Sequence, residues 1–426
     1  MWARSVSTFY NLEVVNTFVH RAGQAPLSID MDVMHNHADW MPQRDSVRDR
    51  LLHPELLSRA STFVTGAMNT YNRAYSPSIN TTLTSTRFFL LKDLSVFIPH
   101  RLHVDEPFKA PLLQRLSIRS DAGDMASCPI SARVLTTMFN DACYLSSVSL
   151  RRCVDTTRRS VNYTRRSLQY LSLGSFDESL VDVMSRQFQV EDESHVLIEL
   201  YGVRDLSIAL DSLTTAFGAR GSSIDSVEIR YDNDFAASED RSSPAYSDEF
   251  FAFRASFQSG LQIILRYDIA RPTWTWEALA HLLPCENARH LGITKGRCSD
   301  PREPPADLAQ FVAGMHKVHS LLATDREYFD IVTKLPADNP LAVVTFHFRA
   351  MEFEDLVFLW HWVRSRRASH PFHLHLKGSA IEGDPDDYRY DTWFMEAPTL
   401  AALGTVCVLH DEREFKSSHS VRVYRK

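Results

Sequence analysis

The sequence predicts an α/β fold, an irregular leucine-rich-repeat-like solenoid in which parallel strands alternate with helices along a curved scaffold. Two observations carry this. A short cassette recurs in the first half: Leu91-Lys-Asp-Leu94-Ser-Val96, Leu113-Gln-Arg-Leu116-Ser-Ile118, Leu145-Ser-Ser-Val148-Ser-Leu150, Leu168-Gln-Tyr-Leu171-Ser-Leu173 and Val203-Arg-Asp-Leu206-Ser-Ile208. A sixth copy, Ile224-Asp-Ser-Val227-Glu-Ile229, lacks the serine. Roughly one strict match is expected by chance at such a composition, and five are present. The last three positions alternate apolar, polar, apolar, the signature of a strand buried on one side. The second observation is that helical patterns fall between strand patterns, which argues a parallel sheet covered by helices.

Along the chain, residues 8–22 place Phe9, Leu12, Val15, Phe18 and Val19 at helical spacing and stop at Gly23, an amphipathic helix with a glycine C-cap. Leu27, Ile29, Met31 and Val33 then alternate with polar residues, a half-buried strand. Residues 44–60 read as helical, with Pro54 interrupting or restarting the helix. After the first cassette, helices are expected at 131–144, 177–188, 210–220, 274–283, 306–319 and 352–367. Further strands are expected at 261–265, 291–293, 341–348, 372–376 and 405–409. Loops rich in Ser, Asp, Gly or Pro are placed at 69–86, 232–247, 298–305 and 383–390. The resulting organisation is a capping region over 1–89 and a degenerate repeat domain over 90–426, with a lobe boundary possible near 235–260.

Composition narrows the function classes. The 426 residues are 44% hydrophobic and carry a formal net charge of −7, so a large core is available and no global basic field points to nucleic acid or an anionic membrane. The six cysteines are too sparse for a disulfide framework and include no Cys-x-x-Cys pair. The longest apolar run, around 356–363, falls far short of the ~20 residues that span a bilayer. A cytoplasmic or nuclear location is expected. Gly-x-Ser-x-Gly, Gly-x-x-x-x-Gly-Lys, Gly-x-Gly-x-x-Gly and His-Glu-x-x-His are missing, so the chain is read as a non-enzyme without cofactor.

Several stretches are similar to one known family. The run from Trp2 through Phe18-Val-His-Arg-Ala-Gly-Gln-Ala-Pro-Leu-Ser-Ile29 resembles the region just after the F-box in fungal F-box proteins with irregular leucine-rich repeats. Residues 110–118 and 167–173 resemble that family's repeat strands. The resemblance implies a non-catalytic subunit that selects substrates for a cullin-type ubiquitin ligase, the repeats holding the target and the F-box holding the ligase adaptor. The chain starts after the place where that box belongs. Leu52-His-Pro-Glu-Leu-Leu57 is similar to an F-box opening, but nothing downstream supplies the later part. The adaptor is therefore expected as a partner only with an F-box upstream. The alternative is a free-standing repeat scaffold with no ligase link.

Residues between the closing apolar positions of each cassette point away from the core. This places Arg115, Ser117, Arg119, Ser147, Ser149, Arg151, Tyr170, Ser172, Asp205, Ser207, Ser226, Glu228 and Arg230 on one candidate protein-binding face. The arginine pairs 151–152, 158–159 and 165–166 would form a basic stripe on a helix, but the β-branched residues between them favour loop or strand. His347, His361, His370, His373 and His375 gather late in the chain. His373-Leu-His375 on a strand would aim both rings to one face, a spacing that chelates zinc or copper. No third ligand stands at a fixed offset, so no metal is expected and the histidines are read as surface or core residues. Trp274, Trp276, Trp360 and Trp362 are read as packing residues.

Overall fold

The computed structural model describes residues 2–9, 11–31, 44–65, 83–100, 102–157, 166–176, 179–203, 205–216, 223–233, 249–268, 272–295, 304–324, 328–351, 353–366, 372–381 and 390–416. The chain divides into two compact units. The first comprises Met1–Arg220, Asp234–Ser247 and Ser259–Leu265, the second Gly221–Asn233, Asp248–Gln258 and Arg266–Lys426. Each is an α/β unit built on a largely parallel sheet.

The first unit opens with the expected helix, observed at Leu12–Ala22. The Asn11 side chain accepts from the backbone N–H groups of Glu13 and Val14, which satisfies two of the helix's free donors. Gly23 ends it at φ 55°, a left-handed conformation that glycine adopts without penalty. Strands follow as β1 (Leu27–Asp30), β2 (Ala60–Val64), β3 (Asp93–Phe97), β4 (Arg115–Arg119), β5 (Ile130–Ser131), β6 (Ser147–Arg151), β7 (Val154–Asp155), β8 (Arg166–Ser175) and β9 (Phe188–Leu200). Residues 44–60, expected as helix, hold two short helices, Arg44–Leu51 and Pro54–Leu57, before β2. The region expected as a cap thus supplies β1 and β2, which pair in parallel with each other and with β3.

The main sheet of this unit runs β1-β2-β3-β4-β6-β8-β9, all parallel. Its order is closed by residues Leu261–Leu265 of β12 (Leu261–Asp268), parallel to β9. The first four cassettes lie side by side in register. Leu94, Leu116, Val148 and Leu171 form one row and Val96, Ile118, Leu150 and Leu173 a second. Every one of these is 2% exposed or less. Helices Ala132–Asp141 and Ser179–Gln187 bury apolar stripes of their own: Val134, Leu135, Met138 and Phe139 in one, Leu180, Val181, Val183 and Met184 in the other. Phe139 meets Phe188 at the start of β9 edge to face at 4.8 Å, and buried Gln187 donates to Thr136 Oγ1 at 2.6 Å.

The fifth cassette departs from the expected strand. Residues Leu206–Ala216 form a helix, starting four residues before the expected 210–220 and overrunning the cassette's last three positions. Leu206, Ala209, Leu210 and Leu213 are buried, a helical spacing, while Ile208 is 57% exposed. The strand expected there is instead the end of β9, where Val196, Ile198 and Leu200 are buried and pair with β8.

In the second unit β10 (Ile224–Asn233) and β11 (Glu249–Phe257) are antiparallel, against the expectation of parallel strands throughout. From β10 the sheet continues in parallel through β13 (His290–Lys295), β14 (Ser320–Ala323), β15 (Val343–Met351), β16 (His373–Ile381) and β17 (Val408–Lys416). Helices Trp276–Leu282, Ala306–Ala313, Phe329–Thr333, Phe353–Ser365 and Tyr390–Val406 separate successive strands. The helix expected over 306–319 stops at Ala313. The strand expected over 405–409 divides into a helix end and the start of β17, because a short apolar run at such a joint fits either period. Trp274, Trp276 and Trp362 are core residues as read, with Trp276 set against Phe253 and Phe311. Among the described residues no helix is long and apolar enough to cross a membrane. Val33, Cys298, Arg158, Arg159, Arg165, His370 and most of the four expected loops lie outside the described residues.

One buried polar residue ties the second unit's loops together. Asn339, 2% exposed, accepts from Val318 N–H at 2.7 Å and donates to the carbonyls of Met315 at 2.8 Å and Pro336 at 3.2 Å. Asn339→Ala removes the side-chain partner of the buried Val318 N–H and Met315 carbonyl and is expected to destabilise this unit by about 2 kcal/mol. Urea unfolding followed by Trp fluorescence measures this, and a loss below about 0.5 kcal/mol, the scale of a neutral surface substitution, contradicts the assignment.

Candidate functional site

The period-two geometry of a strand leaves every second side chain of β3, β4, β6 and β8 on the face opposite the buried rows. In register across that face stand Asp93, Arg115, Ser147 and Tyr170, then Ser95, Ser117, Ser149 and Ser172, then Phe97, Arg119, Arg151 and Gly174. The structure therefore brings Arg115, Ser117, Arg119, Ser149, Arg151, Tyr170 and Ser172 together on one surface. The middle row is four serines on four adjacent strands, all partly exposed. Arg115, Arg119 and Arg151 are exposed around it, and Tyr170 is 38% exposed. Asp93 and Ser95 obey the same rule in the first cassette and belong to the face, although the sequence reading singled out only the later copies.

The arginines are oriented by neighbours. Arg115 donates through Nε to Asp93 Oδ1, and this hydrogen bond, together with the carboxylate charge, raises the Arg115 guanidinium above its ordinary range. Arg151 donates through Nε to Tyr201 Oη at 2.7 Å, Tyr201 Oη donates to Glu199 Oε2 at 3.2 Å, and Arg151 stands 3.6 Å from the same carboxylate. Arg152, just past β6, has φ 52°, which costs a non-glycine residue about 1 kcal/mol. Its guanidinium lies 4.3 Å over the Tyr201 ring, a cation–π contact that holds the turn. Gly174 permits this arrangement, since a Cβ there would fall 2.7 Å from Tyr201 Oη. Tyr201 and Glu199 carry no cassette signature and were not legible as site residues; only folding sets them beside Arg151, Tyr201 from just past the end of β9.

Asp205 and Ser207 are not on this face. Asp205 precedes the helix Leu206–Ala216 and its carboxylate accepts from Ile208 N–H at 3.0 Å, the N-cap position, and Ser207 sits in the helix's first turn. The sequence suits both structures: an aspartate before a leucine run is also a helix start. Glu228 and Arg230 belong to the second unit, on the β10 face that also carries Ser226. There Glu228 accepts from Arg254 at 3.2 Å and from Thr294 Oγ1 at 3.2 Å, and Arg230 is exposed.

Two other features were weighed for chemistry. A polar cleft of about 770 Å³ in the first unit is lined by His103, Asp105, Ser131, Arg133, Thr137 and Asp155, among others. The described cysteines are free thiols. Burial pushes the Cys153 and Cys285 thiols far above their ordinary range and Cys407 up to about 11, so these three stay protonated and unreactive near neutrality. In the second unit His347 and His361 are exposed, while His373 and His375 share one face of β16, as expected from their spacing. No protein-family model, curated protein or solved structure matches the chain.

The Asp205 assignment is open to measurement. Asp205→Ala is expected to cost about 1 kcal/mol of local stability, seen as faster amide hydrogen exchange across residues 206–216, with Asp205→Ser restoring most of it. Unchanged exchange in Asp205→Ala contradicts the cap.

Proposed function

We propose that this chain is a non-catalytic protein-recognition scaffold, its first unit a degenerate leucine-rich-repeat-like solenoid that receives a polypeptide partner on the serine and arginine face. The observation that carries the reading is the in-register row of partly exposed serines flanked by the exposed Arg115, Arg119 and Arg151 on one sheet face. Serines are short enough to let another backbone approach the sheet, and each offers a hydroxyl that both donates and accepts. The arginines favour a partner segment bearing carboxylates, and their anchoring by Asp93, Glu199 and Tyr201 reduces the ordering they undergo on binding. Repeat solenoids place binding on such an extended surface because each added unit lengthens it.

The resemblance to fungal F-box proteins extends the reading to target selection for a cullin-type ubiquitin ligase. That link rests on the likeness of residues 2–29 and of the cassettes. Without it, the same face serves a free-standing interaction scaffold.

Affinity capture from the source cells, using the parent chain, R115E/R119E/R151E and Ser149→Trp, tests the face. The parent is expected to retain a defined partner, and both variants to reduce its recovery about tenfold or more while melting like the parent. Equal recovery by both variants overturns the assignment. Repeating the capture with any upstream in-frame sequence tests the ligase link: recovery of the adaptor with that extension supports it, and failure to recover it argues for the free-standing scaffold.

A further inference from the structure

The spacing of His373 and His375 provides two imidazoles, and two are too few for a closed metal site. The parallel pairing of β16 with β17 supplies a third. His410 is the direct register partner of His375, and Glu412 is the partner of Lys377 on the same face. His373 Nδ1 lies 2.8 Å from His410 Nε2, and the His375 and His410 rings stack at 4.4 Å with 9° between their planes. One ligand nitrogen from each of the three histidines falls within 4.8 Å of the other two.

We propose that His373, His375 and His410 form a zinc site on the open face of β16 and β17, with Glu412 as its supporting carboxylate. Zinc is bound by neutral imidazoles at about 2.0–2.1 Å, and three histidines with one position left open are an established ligand set for it. Two such nitrogens on a tetrahedral ion stand about 3.4 Å apart. The 2.8 Å contact therefore opens by about half an ångström, and the widest separation, at most 4.8 Å, closes by about 1.4 Å. Both are side-chain rotations on fixed strands. Glu412 Oε1 lies 2.6 Å from His375 Nδ1 and Glu412 Oε2 lies 3.2 Å from Lys377 Nζ. A neutral His375 donating Nδ1–H to this carboxylate would offer Nε2 to a metal, and a carboxylate behind a ligating histidine raises its basicity. The lysine holds that carboxylate in place.

The three rings lie side by side on this face, with centroids 4.4 to 6.5 Å apart and planes within 24° of one another. His373 is exposed and His375 and His410 are half-buried, so an ion can enter and its fourth position faces outward. Val343 and Val408, the register neighbours of His373 on either side, are 38% and 42% exposed and give the site an apolar margin. This proposal is independent of the recognition face in the first unit.

The test uses the full chain without a histidine tag, stripped by chelator and titrated with zinc chloride by calorimetry. One equivalent is expected to bind with a Kd of about 1 µM or below. His410→Ala and His410→Gln are both expected to weaken binding about 100-fold or more, and Glu412→Gln by about 10-fold to 100-fold. His347→Ala, which removes another exposed histidine of the same sheet, is expected to bind like the parent. Cobalt(II) gives an independent readout, with the strong visible bands of a tetrahedral site in the parent and their loss in His410→Gln. Absence of saturable zinc binding by the parent overturns the proposal, as does parent-like binding by both His410 variants.

Discussion

Register is the constraint on which the rest of this structure depends. Parallel strands bond evenly along their length, and side chains alternate between faces with a period of two, so a slip of one residue would exchange the buried and outward sets. In β3, β4, β6 and β8 the two closing apolar residues of each cassette are aligned from strand to strand and almost wholly buried. Their burial holds the register at each step. The residues between them then have no freedom in where they lie and become rows on the other face.

Those rows explain why the recurrence of serine has structural meaning although serine adds little to the core. On adjacent parallel strands about 4.8 Å apart, four residues at one cassette position stand shoulder to shoulder. Large side chains there would cover the sheet, and small ones leave it open. The larger residues occur at the two ends of the strands, where Arg115 is turned by Asp93 and Arg151 by Tyr201 and Glu199. Exposed ion pairs of this kind contribute little to stability, about 0–1 kcal/mol. Their consequence is orientation, because a guanidinium held in one direction presents its remaining donors in a defined pattern.

The same rule acts in the second unit with different chemistry. β16 and β17 meet in parallel, and the outward positions hold imidazoles and a carboxylate in place of hydroxyls. A helix of 17 residues, Tyr390–Val406, lies between the two strands in sequence. His373 and His410 are 37 residues apart along the chain and 2.8 Å apart in space. The alternation that makes a strand one-sided also sorts polar residues by face, so chemistry brought together by strand pairing forms clusters that no local motif encodes.

The sequence alone determined the α/β class, the first four cassette strands and their inward and outward residues, the helix that ends at Gly23 and three of the four tryptophans read as packing residues, because each follows from local periodicity. It also determined that His373 and His375 would share a face. It did not separate helix from strand at Val203-Arg-Asp-Leu206-Ser-Ile208, because leucine-x-x-leucine spacing fits both periods and Asp205 caps a helix as readily as it leads a strand. The antiparallel turn of β11 against β10, strand β2 and the pairing of β1 and β2 with β3, the seating of Tyr201 on Gly174 and the joining of His410 and Glu412 to the histidine pair were decided only by tertiary structure. Each depends on which strands pair and in what register, and pairing between distant segments is set by the shared burial of apolar rows across the whole sheet.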